Sequence, residues 1–289
     1  MPPHINEQPS TVGSLNEAKV AVALESSFLG FFAHAGFINS LLDSGIRPLK
    51  VSGSSSGALV ASAYASGLEH EALKEFVLDR KLQRAFREWR ILLRGPAVFG
   101  AYLGHGIIAG HRAVAHLRRT LPVDRIEKTR NAHLGIGVTN VTRQERQLIH
   151  EGDLASFIVA SCAAAPIISS QEIDGEYYLD GGFTDGAPFE QWIHDDEIDI
   201  IIIHRIICNP PRVKKWSRFT NFISCWSALH NVVTNELNQV RREKAEAAGK
   251  KVIVHETATR SPGLIVSKQH SIDNYQTAYD TWKNSPSIT

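Results

Sequence analysis

Cysteine is scarce: Cys162, Cys208 and Cys225 are the only three in 289 residues. They are far apart, odd in number and free of C-x-x-C spacing, which excludes a disulfide framework and a cysteine-based metal site. They read instead as reduced thiols of a cytosolic chain. Charge of one sign is lacking too. The 31 Lys and Arg nearly balance the 30 Asp and Glu, and a formal net charge of +1 gives no global field to attract nucleic acid. No window holds about 18 uninterrupted apolar residues, so no spanning helix is expected. The first eighteen residues carry Pro, Asn, Gln, Ser and Glu without an apolar core. They are expected to form a loose tail (1–18) rather than a cleaved secretory signal, which makes the expected location cytoplasmic. What the chain does have is 43% hydrophobic and 21% charged residues, the balance of a globular protein able to bury a large core.

One stretch organises the rest. Leu49 and Val51 read as a strand end, Gly53-Ser54-Ser55-Ser56-Gly57 as a sharp turn, and Ala58-Leu59-Val60-Ala61 as the start of a helix. G-x-S-x-G between a strand and a helix is the setting of a nucleophile elbow. The two glycines suit a turn that brings strand and helix close together and strains its dihedrals. Ser55 at the apex then projects its hydroxyl into a cleft, facing the positive end of the helix.

Upstream, Lys19–Leu24 is a short apolar run that reads as a buried first strand. Phe31–Leu42 carries apolar residues at helical spacing and ends at Ser44-Gly45. Strand, loop, helix, strand, elbow, helix is the beginning of a parallel α/β sheet. Loops at the carboxyl ends of neighbouring strands meet at one edge, so the 25–30 loop is expected beside Ser55. Downstream, 132–138 and 146–150 read as strands, and Asp153 caps a helix expected to run to Ala165. Asp174-Gly175 reads as a hairpin turn, 177–179 as a strand ending at Asp180-Gly181-Gly182, and 198–203 as a strand buried on both faces. Strand 251–254 and helix 271–283 close the chain.

Two regions invite a surface reading. Arg80, Lys81, Arg84, Arg87, Arg90 and Arg94 form a cationic face, either plainly solvated or able to meet anionic lipid headgroups. From Trp216 to about Ala248 a long helix is expected, with Trp216, Phe219, Phe222, Ile223, Trp226, Leu229, Val233, Leu237 and Val240 along one side. That stripe is expected to face the core, with a lid or a membrane-facing surface as the alternative.

Three landmarks in order resemble the patatin-like phospholipases: the Gly53-x-Ser55-x-Gly57 elbow, Ala160-Ser161-x-x-Ala164-x-Pro166, and Asp180-Gly181-Gly182. The resemblance covers most of residues 19–206. It implies a central, mostly parallel sheet flanked by helices, with 19–289 a single patatin-like α/β domain and 211–289 a helical C-terminal extension or cap. It also implies a lipid acyl hydrolase in which Ser55 and Asp180, 125 residues apart, act as a dyad without a histidine. No cofactor or metal is implied, and the partner is a lipid ester at a possible peripheral membrane contact. The family's oxyanion loop corresponds to Ser26, Ser27, Phe28 and Gly30. Here the chain departs from the pattern: serines stand where glycines are usual, Leu29 stands where Arg or Lys is common, and one extra residue precedes His34. Glycine adopts positive φ freely whereas serine loses roughly 1 kcal/mol there, so the serines are expected to strain the hole.

Three rivals follow from the same residues. A Ser-Asp-His hydrolase could draw on His194, His204, His230, His255 or His270. His194-x-x-x-x-Asp199 matches an acyltransferase spacing. A catalytically weak or inactive lipid-binding protein fits the unusual loop.

Overall fold

A computed structural model describes residues 18–86, 106–208, 222–259 and 267–285, with the backbone alone at 208 and 222–231. The apolar run near the N-terminus forms β1 (Val20–Leu24), buried throughout. Its alternation serves two layers. Val20, Val22 and Leu24 enter the core under α1 (Phe31–Asp43), while the small Ala21 and Ala23 face Phe189, Trp192 and Ile201 on the other side. β2 (Lys50–Ser54) runs parallel to β1 and leads through Ser55 into α2 (Ser56–Ala65), every residue of which is buried.

The chain then continues through α3 (His70–Leu78), α4 (Arg80–Ala85) and α5 (His111–Thr120) to β3 (His133–Asn140) and β4 (Glu145–Ile149). After α6 (Leu154–Ser161) come β5 (Gln171–Ile173) and β6 (Glu176–Asp180). α6 stops at Ser161, short of the expected Ala165, because Cys162–Ile168 turns away to carry Asp180: the Asp180 N–H donates to the Ala163 carbonyl. β7 (Ile200–Cys208), α7 (Phe222–Ala247), β8 (Lys251–Thr259) and α8 (Lys268–Lys283) complete the described chain.

The eight strands form one sheet in the order β5-β6-β3-β2-β1-β7-β8, with β4 on β3. From β3 to β8 all neighbours are parallel, so the sheet is mostly parallel and flanked by helices, the expected class. β3 explains how distant residues meet. It pairs with β2 over 133–137, with β4 over 136–140 and with β6 over 138–140. A residue in a strand has only two edges, so β2 and β6, which do not overlap, share one edge and β4 occupies the other. β2 runs parallel to β3 and β6 antiparallel, so their ends point at each other, with Ser54 opposite Gly137 and Asp180 opposite Val138.

The expected strand at 251–254 is the middle of the longer β8, an edge strand paired with β7 along its whole length, and α8 packs on α1 through Tyr275, Ala278 and Trp282. The side chains of Phe222, Ile223, Trp226 and Leu229 lie outside the described residues. Over its second half α7 does not bury the whole expected stripe. Asn238, Arg241 and Ala245 are buried and Leu237 is half-buried, whereas Val233 and Val240 are 59% and 45% exposed. The physical reason is Arg241, whose guanidinium makes a two-point ion pair with Asp185 at 2.7 and 3.0 Å and so turns the polar face inward. Trp216 and Phe219 lie outside the described residues, as do Arg87, Arg90 and Arg94; Arg80, Lys81 and Arg84 are exposed on α4.

Candidate active site

Ser55 sits at φ 55°, ψ −122°, a region that disfavours any residue with a Cβ and stores about 1–3 kcal/mol. Its neighbours hold it there. The Ser55 N–H donates to Ser161 Oγ at 2.9 Å, and Ser161 Oγ donates to the Gly137 carbonyl at 2.6 Å. The Ser55 carbonyl accepts from Leu59 N–H at 3.2 Å and from the Cys162 thiol at 3.3 Å. The flanking glycines serve close approach, not dihedral freedom. A Cβ on Gly53 would meet the Gly57 carbonyl carbon at 2.3 Å, and one on Gly57 would meet the Leu24 carbonyl oxygen at 2.1 Å.

Where β2 and β6 meet, Ser55 Oγ donates to Asp180 Oδ2 at 2.7 Å. Asp180 Oδ1 accepts from Gly182 N–H at 2.7 Å, and the Asp180 carbonyl accepts from Thr139 Oγ1 at 2.9 Å. Asp180 is 5% exposed. Burial pushes its carboxyl from the ordinary 3.8 up to about 6, against the two hydrogen bonds, which favour the anion. Gly181 fits because a Cβ there would stand 2.2 Å from the Gly137 carbonyl oxygen.

The 25–30 loop lies against this pair. A Cβ on Gly182 would meet Ser26 Oγ at 2.1 Å, and Ser27 Oγ lies 3.0 Å from Ser56 Oγ. The Ser26 N–H donates to the Gly186 carbonyl at 2.7 Å and is therefore occupied. The N–H groups of Ser27, Phe28 and Leu29 find no hydrogen-bond partner among the described residues. The expected strain at the serines is absent: neither has positive φ, and the left-handed residue is Leu29 at φ 54°. Gly30 is required by space, since a Cβ there would stand 1.9 Å from Ser27 Oγ.

Charge braces both loops from outside. Arg205 on β7 pairs with Glu25 at 3.0 Å, and burial still holds the Glu25 carboxyl above its ordinary value. Burial likewise pushes Asp185 up, to about 7, against the nearby charge of Arg146, and Arg241 holds both of its carboxylate oxygens in a fork. Ser54 Oγ donates to the Asp185 carbonyl at 2.6 Å. Neither arginine carried a sequence signal, because each works through tertiary contact alone.

No described histidine is hydrogen-bonded to Ser55 or Asp180. His194 is exposed and Asp199 binds the Lys19 N–H, both just before β7, at the opposite end of the sheet from the elbow. His204 and His255 are buried against Phe37, His270 lies on α8, and the His230 side chain lies outside the described residues. Among the described residues no group of His, Cys, Asp and Glu is arranged to hold a metal ion, and no described helix is long and apolar enough to cross a membrane.

A parallel sheet with a strained serine on a strand-to-helix turn, facing a buried aspartate before Gly-Gly, defines an elbow-type α/β protein. The chain belongs to the patatin-like phospholipase family, whose model matches residues 22–193. Uncharacterized NTE family proteins of Mycobacterium tuberculosis and Mycobacterium bovis are 28% identical to it over 170 residues, 59% of this chain and 44% of theirs. The match thus spans less than half the length of those relatives. Among solved structures, VipD from Legionella pneumophila shares the fold, with a TM-score of 0.52 and 15% identity over 92% of this chain and 66% of that one.

Proposed function

We propose that the protein is a lipid acyl hydrolase that works through an acyl-enzyme on Ser55, with Asp180 as its only base. The carrying observation is the 2.7 Å bond from Ser55 Oγ to a carboxylate with a pKa raised to about 6. An ordinary aspartate is too weak a base for a serine hydroxyl; a desolvated one is better matched to neutral pH. As Ser55 Oγ attacks the ester carbonyl, its proton passes to Asp180 Oδ2. The tetrahedral oxyanion is received by N–H groups of Ser27, Phe28 and Leu29, the unoccupied donors of the loop. Collapse of the intermediate expels the alcohol, which takes the proton from Asp180 and leaves the acyl group on Ser55. Water then attacks the acyl-enzyme, giving its proton to Asp180, and collapse of the second intermediate returns that proton to Ser55 Oγ as the fatty acid departs.

A lipid substrate is supported by family membership and by apolar side chains exposed near this edge. Phe28 is 60% exposed on the loop itself, and Val232 is 60% exposed on α7, two residues before Thr234, which lies against Gly186. The test is fluorophosphonate labelling with peptide mapping. Modification at Ser55, absent in Ser55→Ala, together with loss of ester turnover in that variant, is expected. Labelling elsewhere with turnover retained refutes the reading.

A further inference from the structure

The family match ends at residue 193, yet the loop beside Ser55 is braced from beyond it. His34 on α1 is fully buried, with two close partners and Ser27 Oγ at the longer distance of 3.5 Å from its Nε2. Its Nε2 lies 2.8 Å from the Glu25 carbonyl oxygen, and its Nδ1 lies 2.8 Å from Nδ1 of His204 on β7. His204 Nε2 in turn lies 2.9 Å from Thr257 Oγ1 on β8.

These partners assign every proton. A carbonyl only accepts, so His34 Nε2 carries a hydrogen and donates it to Glu25. Burial holds the His34 pKa down to about 3, so the ring is neutral and its Nδ1 is a bare acceptor. The His204 Nδ1 facing it must therefore carry the other hydrogen. That leaves His204 Nε2 to accept from the Thr257 hydroxyl. The chain runs one way, from Thr257 through His204 and His34 to Glu25. Phe37 stacks on His204 at 4.1 Å between ring centres and walls it from water.

The Glu25–Ser26 peptide is consequently held at both ends. Its oxygen is bound by His34, and its N–H donates to the Gly186 carbonyl at 2.7 Å. The next three N–H groups are the unoccupied donors of the loop. Resting on the hydrolase reading above, we propose that the neutral His34–His204 pair positions this peptide and thereby aims the Ser27–Leu29 N–H groups at the oxyanion. Strands β7 and β8 then contribute to turnover without touching the substrate. Neither ring is a catalytic residue; both act through the backbone.

Two amide substitutions separate positioning from simple packing. Gln at 34 places a donor near the Nε2 position and keeps the bond to Glu25. Asn reaches only the Nδ1 position and loses it. In His34→Asn, kcat on a small soluble ester is expected to fall about 10- to 100-fold with KM within about twofold, since an oxyanion contact forms only in the transition state. His34→Gln is expected to recover most of that loss. Thr257→Val, far along the chain of bonds, is expected to lower kcat about threefold at unchanged KM.

Long-range ¹H–¹⁵N NMR of the wild-type protein supplies a readout independent of activity: His34 protonated at Nε2 and His204 at Nδ1. Equal turnover in wild type, His34→Gln and His34→Asn overturns the positioning role and leaves the hydrolase reading standing. A wild type as inactive as Ser55→Ala overturns the hydrolase reading, and the tautomers then decide the brace alone. Any other tautomer pattern, or a charged ring at neutral pH, overturns the brace.

Discussion

Asp180→Asn is expected to abolish activity and to stabilise the fold, with a pH signature that identifies the cause. In the native state the carboxyl is 5% exposed and its pKa stands at about 6 instead of 3.8. The native state therefore binds this proton more tightly than the unfolded chain does. Below pH 3.8 both states are protonated and the group costs nothing. As pH rises the unfolded chain ionises first, and stability declines until the native group has ionised as well, above about pH 6. The difference corresponds to about 3 kcal/mol. Asparagine keeps the shape, never ionises, and still offers Oδ1 to the Gly182 N–H. The variant is thus expected to match wild type at pH 3.5 and to exceed it by about 3 kcal/mol at pH 8, a rise of about 5 °C in Tm for a chain of this length. Urea unfolding or calorimetry at several pH values measures it. A variant less stable than wild type at pH 8, or a gain of equal size at both ends, refutes the reasoning.

For the same carboxyl, kcat/KM on a neutral soluble ester should rise with pH and reach half its plateau near pH 6, because the base must be ionised; a profile flat from pH 5 to 8 contradicts this. Arg241→Met removes the partner of a buried Asp185 and is expected to cost about 3–5 kcal/mol at pH 8, measured by denaturant unfolding, with a smaller loss near pH 5, where Asp185 takes up a proton. Val232→Ser with Val233→Ser, both at exposed positions, should lower hydrolysis of vesicle lipid several-fold and leave a small soluble ester unaffected; equal rates on vesicles would remove α7 from the lipid surface.

Local chemistry was legible in the sequence wherever one short stretch carries it. The alternating apolar residues of β1, the glycines flanking Ser55 and the Asp180-Gly181-Gly182 triplet each record a constraint between near neighbours. So does the hairpin at Asp174-Gly175, where both residues have positive φ. The sheet's class follows from these elements, because a parallel order is the way to connect strand, helix and strand in sequence.

What required the tertiary structure is whatever depends on two distant segments at once. Ser55 meets Asp180 because β2 and β6 lie end to end along one edge of β3, a register no local pattern records. The strain in the 25–30 loop falls on Leu29 and spares the serines, since neighbours such as Gly182 and Gly186 set its path. Periodicity expects Val233 and Val240 of α7 to be buried, yet Arg241, paired with Asp185, takes the inward position and leaves these two valines exposed. His34 and His204, 170 residues apart, read as ordinary histidines until the fold removes water and leaves each a single proton to share. Periodicity reports which residues prefer burial, but a paired charge or a shared proton has no meaning until the fold supplies its partner.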